Sequence, residues 1–234
     1  MTSSPPGFSE LEFDLPAALL DRLVAVFDGM QAAPLSGETL IQIPDEQGVY
    51  LLLHRGKIAY VGKTDGEAGL RARLARHSKR VQHRSNLNPA DVSFKAIRIF
   101  VFTVVDLETQ LIKKFHGAEW NNSGFGSNDP GRERDTTKLK EDGFDAQFPI
   151  DIDLALDVSL PSTTSTAAAI LTTLKSYLPY VLRIGQNSEL KTVSVPPYQG
   201  PLTTRAILVE LFNKLPSGWQ ATALAGRVIM YKEN

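Results

Sequence analysis

The chain has 234 residues, of which 42% are hydrophobic and 22% charged, as is typical of a globular protein of one or two domains. It contains no cysteine, which excludes disulfides, a thiol nucleophile and cysteine-ligated metals. The formal net charge is −1, but acidic and basic residues are unevenly distributed along the chain. Residues 1–47 have eight acids and one base, residues 48–149 have seventeen bases and twelve acids, and residues 150–234 have seven bases and six acids. A basic middle in a neutral chain favours a cleft for a polyanion over a nonspecific DNA coat.

The N-terminal segment predicts one amphipathic helix and no targeting or membrane segment. Its start lacks a basic stretch followed by an apolar one, and no run of about 18 apolar residues occurs in the chain. We therefore expect a cytoplasmic protein. Pro16 opens a helical pattern that runs to about Met30, with its apolar residues on one stripe. We assign residues 1–44 to an acidic helical extension that packs on the core.

Residues 48–62 read GVYLLLHRGKIAYVG and predict a β-hairpin. Two runs of strand-forming residues flank a short turn that contains glycine. The hairpin places Tyr50 and Tyr60 on neighbouring strands, although packing of a small sheet explains two tyrosines equally well. Lys63 follows the second strand directly, where its side chain can reach a phosphate. The loop after it lacks the spacing of a nucleotide-binding P-loop.

Residues 68–86 predict a helix with a basic face, opposite the apolar side marked by Leu70, Leu74 and Val81. Residues three to four apart form that face, namely Arg73, His77, Arg80 and Arg84. No acid occurs between residues 68 and 90, where the other bases are Arg71, Arg76 and Lys79. Like charges at helical spacing cost a few tenths of a kcal/mol per pair. We therefore expect the basic face to meet an anion; a solvated face is the alternative.

Residues 92–105 predict a strand, and residues 107–115 predict a helix that Asp106 would cap. Glu108 lies in the first turn, where the helix dipole favours a carboxylate even without a function. A loop rich in glycine and asparagine follows, which includes Asn121, Asn128, Arg132 and Arg134. Such a loop suits the lining of a cleft, and a surface loop without a partner is the alternative.

The last part of the chain predicts an accessory α+β module over residues 150–234. Strands are predicted at 152–160, 181–184 and 192–195 and near 220–231, and helices at 162–178 and 203–215. This β-α-β-β-α-β order is compatible with a ferredoxin-like arrangement. The half contains no histidine and no evident catalytic cluster. We interpret it as a module for a partner, for homodimerisation or for DNA contact.

Six positions of the central segment occur in the order of a known family. The two tripeptides Gly48-Val49-Tyr50 and Tyr60-Val61-Gly62 are followed by Arg73, His77, Glu108 and Asn121. Over about residues 45–125 the chain thus resembles the GIY-YIG nuclease superfamily, with valine in place of both isoleucines. The Arg-x3-His spacing and the Gly-rich loop are most similar to its type II restriction endonuclease branch.

The resemblance implies an α+β fold, with a small mixed sheet flanked by helices in a nuclease domain at residues 45–149. It also implies hydrolysis of double-stranded DNA with Mg²⁺ or Mn²⁺. Glu108 would bind the metal, since Mg²⁺ takes one or two carboxylates. Arg73 would hold the scissile phosphate with its guanidinium fork, and Asn121 would orient the site. The remaining bases and Asn128 would contact DNA: Arg71, Arg76, Lys79, Arg80, Arg84, Arg132 and Arg134.

The nucleophile is the open part of this mechanism. One tyrosine or the metal would activate the attacking water, and the tyrosine pKa of about 10 requires help from Lys63, Arg73 or the metal. We favour Tyr50 hydrogen-bonded to His77, with Tyr60 positioning water.

Three functions are consistent with the sequence. The first is a restriction or antiphage endonuclease, and the second is a structure-specific or repair nuclease on the same core. The third is an inactive core that binds nucleic acid or serves in assembly. The absence of a zinc-finger or helix-hairpin-helix pattern counts against the second function, and the filled site positions count against the third.

Overall fold

The structure is a computed structural model and describes residues 7, 15–64, 68–100, 107–116, 118–125 and 141–232. Its first half contains helices α1 (Leu15–Gly29), α2 (Gly37–Leu40), α3 (Leu70–Arg80), α4 (Leu107–Lys114), α5 (Glu119–Asn122) and α6 (Phe144–Gln147). Its strands are β1 (Ala33–Pro34), β2 (Gly48–His54), β3 (Lys57–Lys63) and β4 (Val92–Arg98). None of the helices in the described residues is long and apolar enough to cross a membrane.

One antiparallel sheet with the order β1-β4-β2-β3 organises this half. The predicted hairpin is confirmed as β2 and β3, which are joined by the two-residue turn Arg55-Gly56. Both turn residues have positive φ, 51° and 77°. This combination is the one that matches the right-handed twist of the flanking strands. The predicted Asp106 cap and the end of the predicted strand, residues 101–105, lie outside the described residues.

Alternation along β2 builds a core on each face of the sheet. Val49, Leu51 and Leu53 pack against α1 and α4, whereas Tyr50 and Leu52 face the other side. We call the second cluster the tyrosine-side core; its largest members are Tyr50, Tyr60, Leu70, Leu74, Phe94, Trp120, Phe125, Phe144 and Phe148. Because β2 is central and covered on both faces, six of its seven residues are buried.

The C-terminal half has helices α7 (Ala167–Tyr177) and α8 (Thr204–Phe212). Its strands are β5 (Ser165–Thr166), β6 (Val181–Ile184), β7 (Ser194–Val195), β8 (Trp219–Ala223) and β9 (Arg227–Lys232). They form two ladders, β5-β7 and β6-β9-β8, in which β6 and β9 are parallel. The α+β class is confirmed. The described strands do not build the one four-stranded sheet of a ferredoxin-like module.

The predicted strand at 152–160 is wrong. The alternation is real, since Leu156 and Val158 are buried in the core of this half. The segment, however, makes only one isolated bridge, between Ala155 and Thr203. It therefore covers the core as an extended segment without joining a sheet.

Short backbone pairings connect the two halves. The Ser85 N–H donates to the Pro149 carbonyl oxygen (2.8 Å), and the Asp151 N–H donates to the His83 carbonyl oxygen (2.8 Å). The segment after α3 is thus tied to the segment that leads into the C-terminal half. The end of the basic helix lies at this junction.

Candidate active site

The hairpin presents both tyrosines to the same side of the sheet. Tyr50 pairs with Gly62 across the β2–β3 ladder, and Tyr60 pairs with Leu52. Their ring centroids are 6.1 Å apart, and both side chains are buried. A Cβ atom added at Gly62 would lie 2.5 Å from Tyr50 Oη and 2.8 Å from a Tyr60 ring carbon. Gly62 therefore provides the space in which the Tyr50 ring crosses β3.

His77 holds the hydroxyl group of Tyr50. The distance between Tyr50 Oη and His77 Nε2 is 2.8 Å, so the hydrogen bond expected from the sequence is present. The imidazole stacks on Phe125, with centroids 4.9 Å apart and planes 17° apart. Its buried Nδ1 has no hydrogen-bond partner among the described residues.

His77 and the two tyrosines are held in their neutral forms. Burial lowers the pKa of His77 to about 3, and the positive charges of Arg80, Arg73 and Arg76 contribute. Burial also raises the pKa of Tyr50. The pKa of Tyr60 is raised by burial and then by Glu108. At neutral pH the hydrogen bond therefore joins a phenol to an uncharged imidazole.

Two opposite charges act on the tyrosines. The positive charge of Arg73 lowers the pKa of both tyrosines, and the negative charge of Glu108 raises both. Arg73 is half-buried and lies four residues before His77 on α3, so the two side chains share a helix face. Glu108 lies in the first turn of α4. The cluster thus combines a cation, a carboxylate and two phenols.

Lys63 pairs with Glu108 at the end of β3. Lys63 Nζ lies 3.8 Å from Glu108 Oε2, and both side chains are partly exposed. Sequence placed Lys63 at a strand end within reach of a phosphate, and the structure places it as the last residue of β3. The ammonium group places a positive charge at the end of β3, beside Glu108.

Asn121 fixes the strand that carries Tyr60. Its Oδ1 accepts a hydrogen bond from the Val61 N–H, and its Nδ2 donates to the Val61 carbonyl oxygen, both at 2.7 Å. One amide side chain thereby satisfies both backbone groups of Val61, as a neighbouring strand would. The geometry gives Asn121 a positioning role, because both polar atoms are bonded to β3.

The predicted DNA-contact residues separate into four groups, of which the buried Arg84 is the last. Arg71, Arg76 and Lys79 are exposed on the outer side of α3. Arg80 donates from Nη2 to the Gly124 carbonyl oxygen (3.1 Å) and lies over the Phe125 ring at 5.4 Å. Asn128, Arg132 and Arg134 lie outside the described residues.

Arg84 requires a correction, because it is 7% exposed and is not available as a predicted DNA contact. Its Nη1 donates to Asp145 Oδ1 (2.8 Å) and to the Phe148 carbonyl oxygen (2.9 Å). Its guanidinium lies 5.2 Å from the centroid of the Phe144 ring. Burial lowers the Arg84 pKa, and the Asp145 carboxylate opposes this shift. Arg84 thus stabilises the junction between the halves.

Sequence reasoning missed two groups of site residues. Phe125 and Phe144 form the aromatic wall behind His77, and the only signal was aromatic residues within a polar stretch. Thr64 closes the open end of the hairpin, since its Oγ1 accepts from the Gly48 N–H (2.8 Å) and its N–H donates to the Gly48 carbonyl oxygen (2.9 Å). No pattern in the sequence singled out Thr64.

The donor set fits a hard divalent cation with few protein ligands. No group of three or more His, Cys, Asp and Glu side chains is gathered within the described ranges. Mg²⁺ does not need one, because it keeps several waters and binds one or two carboxylates plus substrate phosphates. The partly exposed Glu108 carboxylate beside the tyrosines provides such a ligand.

The hairpin, the helix with Arg73 and His77, the carboxylate on α4 and the asparagine on α5 define a GIY-YIG domain, a nuclease fold. Residues 53–145 match the protein-family model described as the Eco29kI GIY-YIG domain, which represents a GIY-YIG restriction endonuclease family. The match includes Tyr60, Arg73, His77, Glu108 and Asn121, and begins just after Tyr50. No curated protein sequence matches the chain.

Proposed function

We propose that the protein is a divalent-metal-dependent endonuclease that hydrolyses double-stranded DNA in a restriction or antiphage role. The observation that carries the proposal is the Tyr50–His77 hydrogen bond, which lies beside Tyr60 and within the fields of Arg73 and Glu108. Phosphodiester hydrolysis needs an activated water, a cation on the phosphate and help for the leaving oxygen. Arg73 provides the cation for the phosphate, and the two tyrosines provide hydroxyl groups that can orient the water.

Arg73 and Lys63 bind the substrate in this proposal. The Arg73 guanidinium holds the scissile phosphate through a charge-assisted pair of hydrogen bonds. Lys63, at the end of β3, leaves its ion pair with Glu108 and binds a phosphate oxygen of the substrate. Glu108 would hold Mg²⁺ or Mn²⁺, which when bound would supply charge stabilisation on the phosphate.

Tyr50 orients the attacking water, and His77 sets the direction of its hydroxyl. In the tautomer with the proton on Nδ1, His77 Nε2 accepts the Tyr50 hydrogen, and Tyr50 Oη can still accept a hydrogen bond from Tyr60 or from the water. Tyr60, on the adjacent strand, is the second group that positions water. Asn121 keeps Tyr60 in place through Val61.

The remaining assignments concern the rest of the chain. We propose a division into an extension (1–44), a nuclease domain (45–149) and an accessory domain (150–234), supported by a separate apolar core in the last part. We place the protein in the cytoplasm, where it would meet a DNA substrate. Arg71, Arg76 and Lys79 contact DNA from the outer side of α3, and Asn128, Arg132 and Arg134 contact it from the loop.

The accessory domain is also the proposed homodimer surface. Val209 on α8 is 55% exposed and lines two grooves, with volumes of about 250 and about 460 Å³. A palindromic target requires a symmetric dimer or two binding events. Light scattering of the purified protein should give twice the mass of one chain, and Val209→Glu should give the mass of one chain. A monomeric wild type would contradict this part.

The central experiment digests plasmid DNA with the protein and Mg²⁺ and sequences the ends. We expect discrete ends at one motif, and about a 10²- to 10³-fold lower rate for Glu108→Gln. Glu38→Gln, an acid in the first turn of α2, is the matched control and should cleave normally.

Other outcomes separate the alternatives. Scattered ends with a preference for branched or damaged DNA would indicate a structure-specific nuclease. Salt-sensitive DNA binding without any cleavage would indicate an inactive binding module. Unchanged cleavage by Glu108→Gln would exclude its proposed role.

A further inference from the structure

Phe100 is the most exposed large apolar side chain among the described residues. It is 82% exposed, and the Arg98 guanidinium lies over its ring at 4.5 Å from the centroid. A single exposed apolar residue is ordinary on a protein surface. The position of this one relative to the tyrosines distinguishes it.

The register of the sheet places Arg98 on the side of the tyrosines. Tyr50 pairs with Ala96, and Gly48 pairs with Arg98. Phe94 and Ala96 belong to or pack against the tyrosine-side core, whereas Ile97 and Ile99 pack on the opposite face. Because side chains alternate along a strand, Arg98 shares the face of Ala96 and lies about 7 Å further along.

Phe100 continues along this face. The Ile99 N–H donates to the Gln47 carbonyl oxygen (3.0 Å), so the pairing extends beyond the last residue of β4. The contact between the Arg98 guanidinium and the Phe100 ring shows that both side chains lie on the same side. An exposed aromatic ring thus extends the row of side chains that begins beside Tyr50.

Charge and shape at this row fit a nucleotide. Arg98 Nη2 pairs with Glu46 Oε1 at 3.3 Å, and both side chains are well exposed. An exposed ion pair contributes little, so a phosphate can replace Glu46 at small cost. The wide exposure of Phe100 leaves its ring accessible to a flat apolar partner, and a base provides one.

We propose that Phe100 stacks against a nucleobase of the bound DNA a few nucleotides from the scissile phosphate, while Arg98 supports the ring and binds a neighbouring phosphate. This proposal rests on the proposed nuclease function. Aromatic side chains contribute to binding through every base, because each base has a π-face. In a duplex, an apolar side chain of this kind enters between base pairs and favours easily unstacked pyrimidine–purine steps.

Binding of the full chain to DNA without metal tests the proposal. The probes are a dT20 strand and a 30-base-pair duplex of mixed sequence, measured by fluorescence anisotropy. We expect Phe100→Ala to weaken binding to dT20 about 5- to 100-fold, and Phe100→Trp to bind as wild type does. Ile41→Ala, which removes another exposed apolar side chain (74% exposed), is the control and should bind normally.

A second measurement reports stacking directly. The native Trp120 and Trp219 are buried, so the tryptophan of Phe100→Trp gives the acrylamide-accessible emission. DNA should quench this emission and protect it from acrylamide, and should not do so for Ile41→Trp. Equal affinity of wild type and Phe100→Ala, or an unprotected tryptophan, would overturn the proposal.

The outcomes separate this inference from the nuclease function. Plasmid cleavage by wild type with unchanged dT20 affinity in Phe100→Ala would overturn the stacking role alone. Weakened binding by Phe100→Ala in a protein that cleaves no DNA would support stacking and reject the nuclease. A wild type that binds neither probe would overturn both.

Discussion

Each half of the molecule buries one tyrosine hydroxyl in a side-chain hydrogen bond. In the nuclease domain, Tyr50 Oη lies 2.8 Å from His77 Nε2. In the C-terminal half, Tyr180 Oη lies 2.6 Å from Thr204 Oγ1. Burial raises the pKa of both tyrosines. The two hydrogen bonds are alike in length and burial, so their difference lies in the surrounding residues.

Thr204 cannot take a charge, and its fully buried hydroxyl links α8 to the start of β6. His77 is titratable. Arg73 and Glu108 carry opposite charges and shift the pKa of Tyr50 in opposite directions. A buried polar pair stabilises a fold in either setting. The charged neighbours of Tyr180 are the carboxylates of Asp151 and Asp153, and Asp153 already pairs with Arg205 (2.7 Å). Tyr50 instead is influenced by Arg73 and Glu108, which can bind a phosphate and a cation, so only the Tyr50–His77 pair is expected to affect a reaction.

Removing each hydroxyl in turn gives the largest contrast. Tyr50→Phe should reduce plasmid cleavage about 10²- to 10³-fold, because the water loses its orienting oxygen. Tyr180→Phe should leave cleavage unchanged and lower the free energy of unfolding by about 1 kcal/mol. Initial cleavage rates and urea unfolding curves measure the two effects. Equal cleavage by the two variants would remove Tyr50 from the mechanism.

Ion pairs give the next contrast. Arg84 pairs with Asp145 at 2.8 Å with its side chain 3% exposed, and Arg55 pairs with Asp91 at 2.9 Å with its side chain 69% exposed. Arg84→Met should lower the free energy of unfolding by about 3 kcal/mol, since it leaves the Asp145 carboxylate and the Phe148 carbonyl without their donor. Arg55→Met should change it by less than about 1 kcal/mol.

Chemical denaturation of the Arg84 and Arg55 variants measures both effects. The same experiment tests whether Arg84 is structural. If Arg84→Met were as stable as wild type but bound DNA more weakly, the original interpretation of Arg84 as a DNA contact would be restored.

Acid should expose the protonation state of His77. Its pKa in the folded state, about 3, lies below its ordinary value of 6.5. The unfolded chain therefore binds the proton first as pH falls, and His77 destabilises the fold increasingly between about pH 6.5 and pH 4. The slope from one such group is about 1.4 kcal/mol per pH unit. His77→Phe should reduce the slope of unfolding free energy against pH by this amount.

Comparing the pH dependence of the unfolding free energy between wild type and His77→Phe cancels the contributions of the other titratable groups. Burial also lowers the pKa values of His54 and His83, but both residues remain in the variant and in wild type. Unfolding curves at several pH values give the difference. Identical slopes would show that His77 is already protonated in the folded protein.

Periodicity predicted α3 and the residues that share a face, but not the direction of that face. Arg73, His77 and Arg80 do lie together, and the sequence suggested that they meet solvent or an anion. The structure turns this face toward Tyr50 and Phe125. A charged residue that packs its stem or stacks on a ring is compatible with the interior. The aromatic wall comes from residues some 45 to 65 positions later, which local pattern cannot place.

Two runs of strand-forming residues around a glycine-containing turn predicted the hairpin, because so short a turn forces the two runs to pair with each other. In the C-terminal half no comparable turn fixes residues 152–160. The alternating apolar residues of this segment correctly indicate that Leu156 and Val158 are buried. Burial, however, requires only contact with the core and does not require hydrogen bonds to a neighbouring strand. The sequence pattern of residues 152–160 therefore predicted the buried side chains correctly, but it was wrong in predicting that the segment pairs as a strand.

The two glycines of the hairpin set different limits on how this domain can vary. Gly56 has φ of 77° in the turn, with nothing within 4 Å of an added Cβ, so asparagine or aspartate can occupy it at modest cost. Gly62 has no such freedom, because any side chain would collide with the Tyr50 ring. A saturation library should accept several residues at position 56 and return glycine alone at position 62. Retention of glycine at position 62 in such a library would then be explained by the space that the Tyr50 ring occupies and not by a need for backbone flexibility.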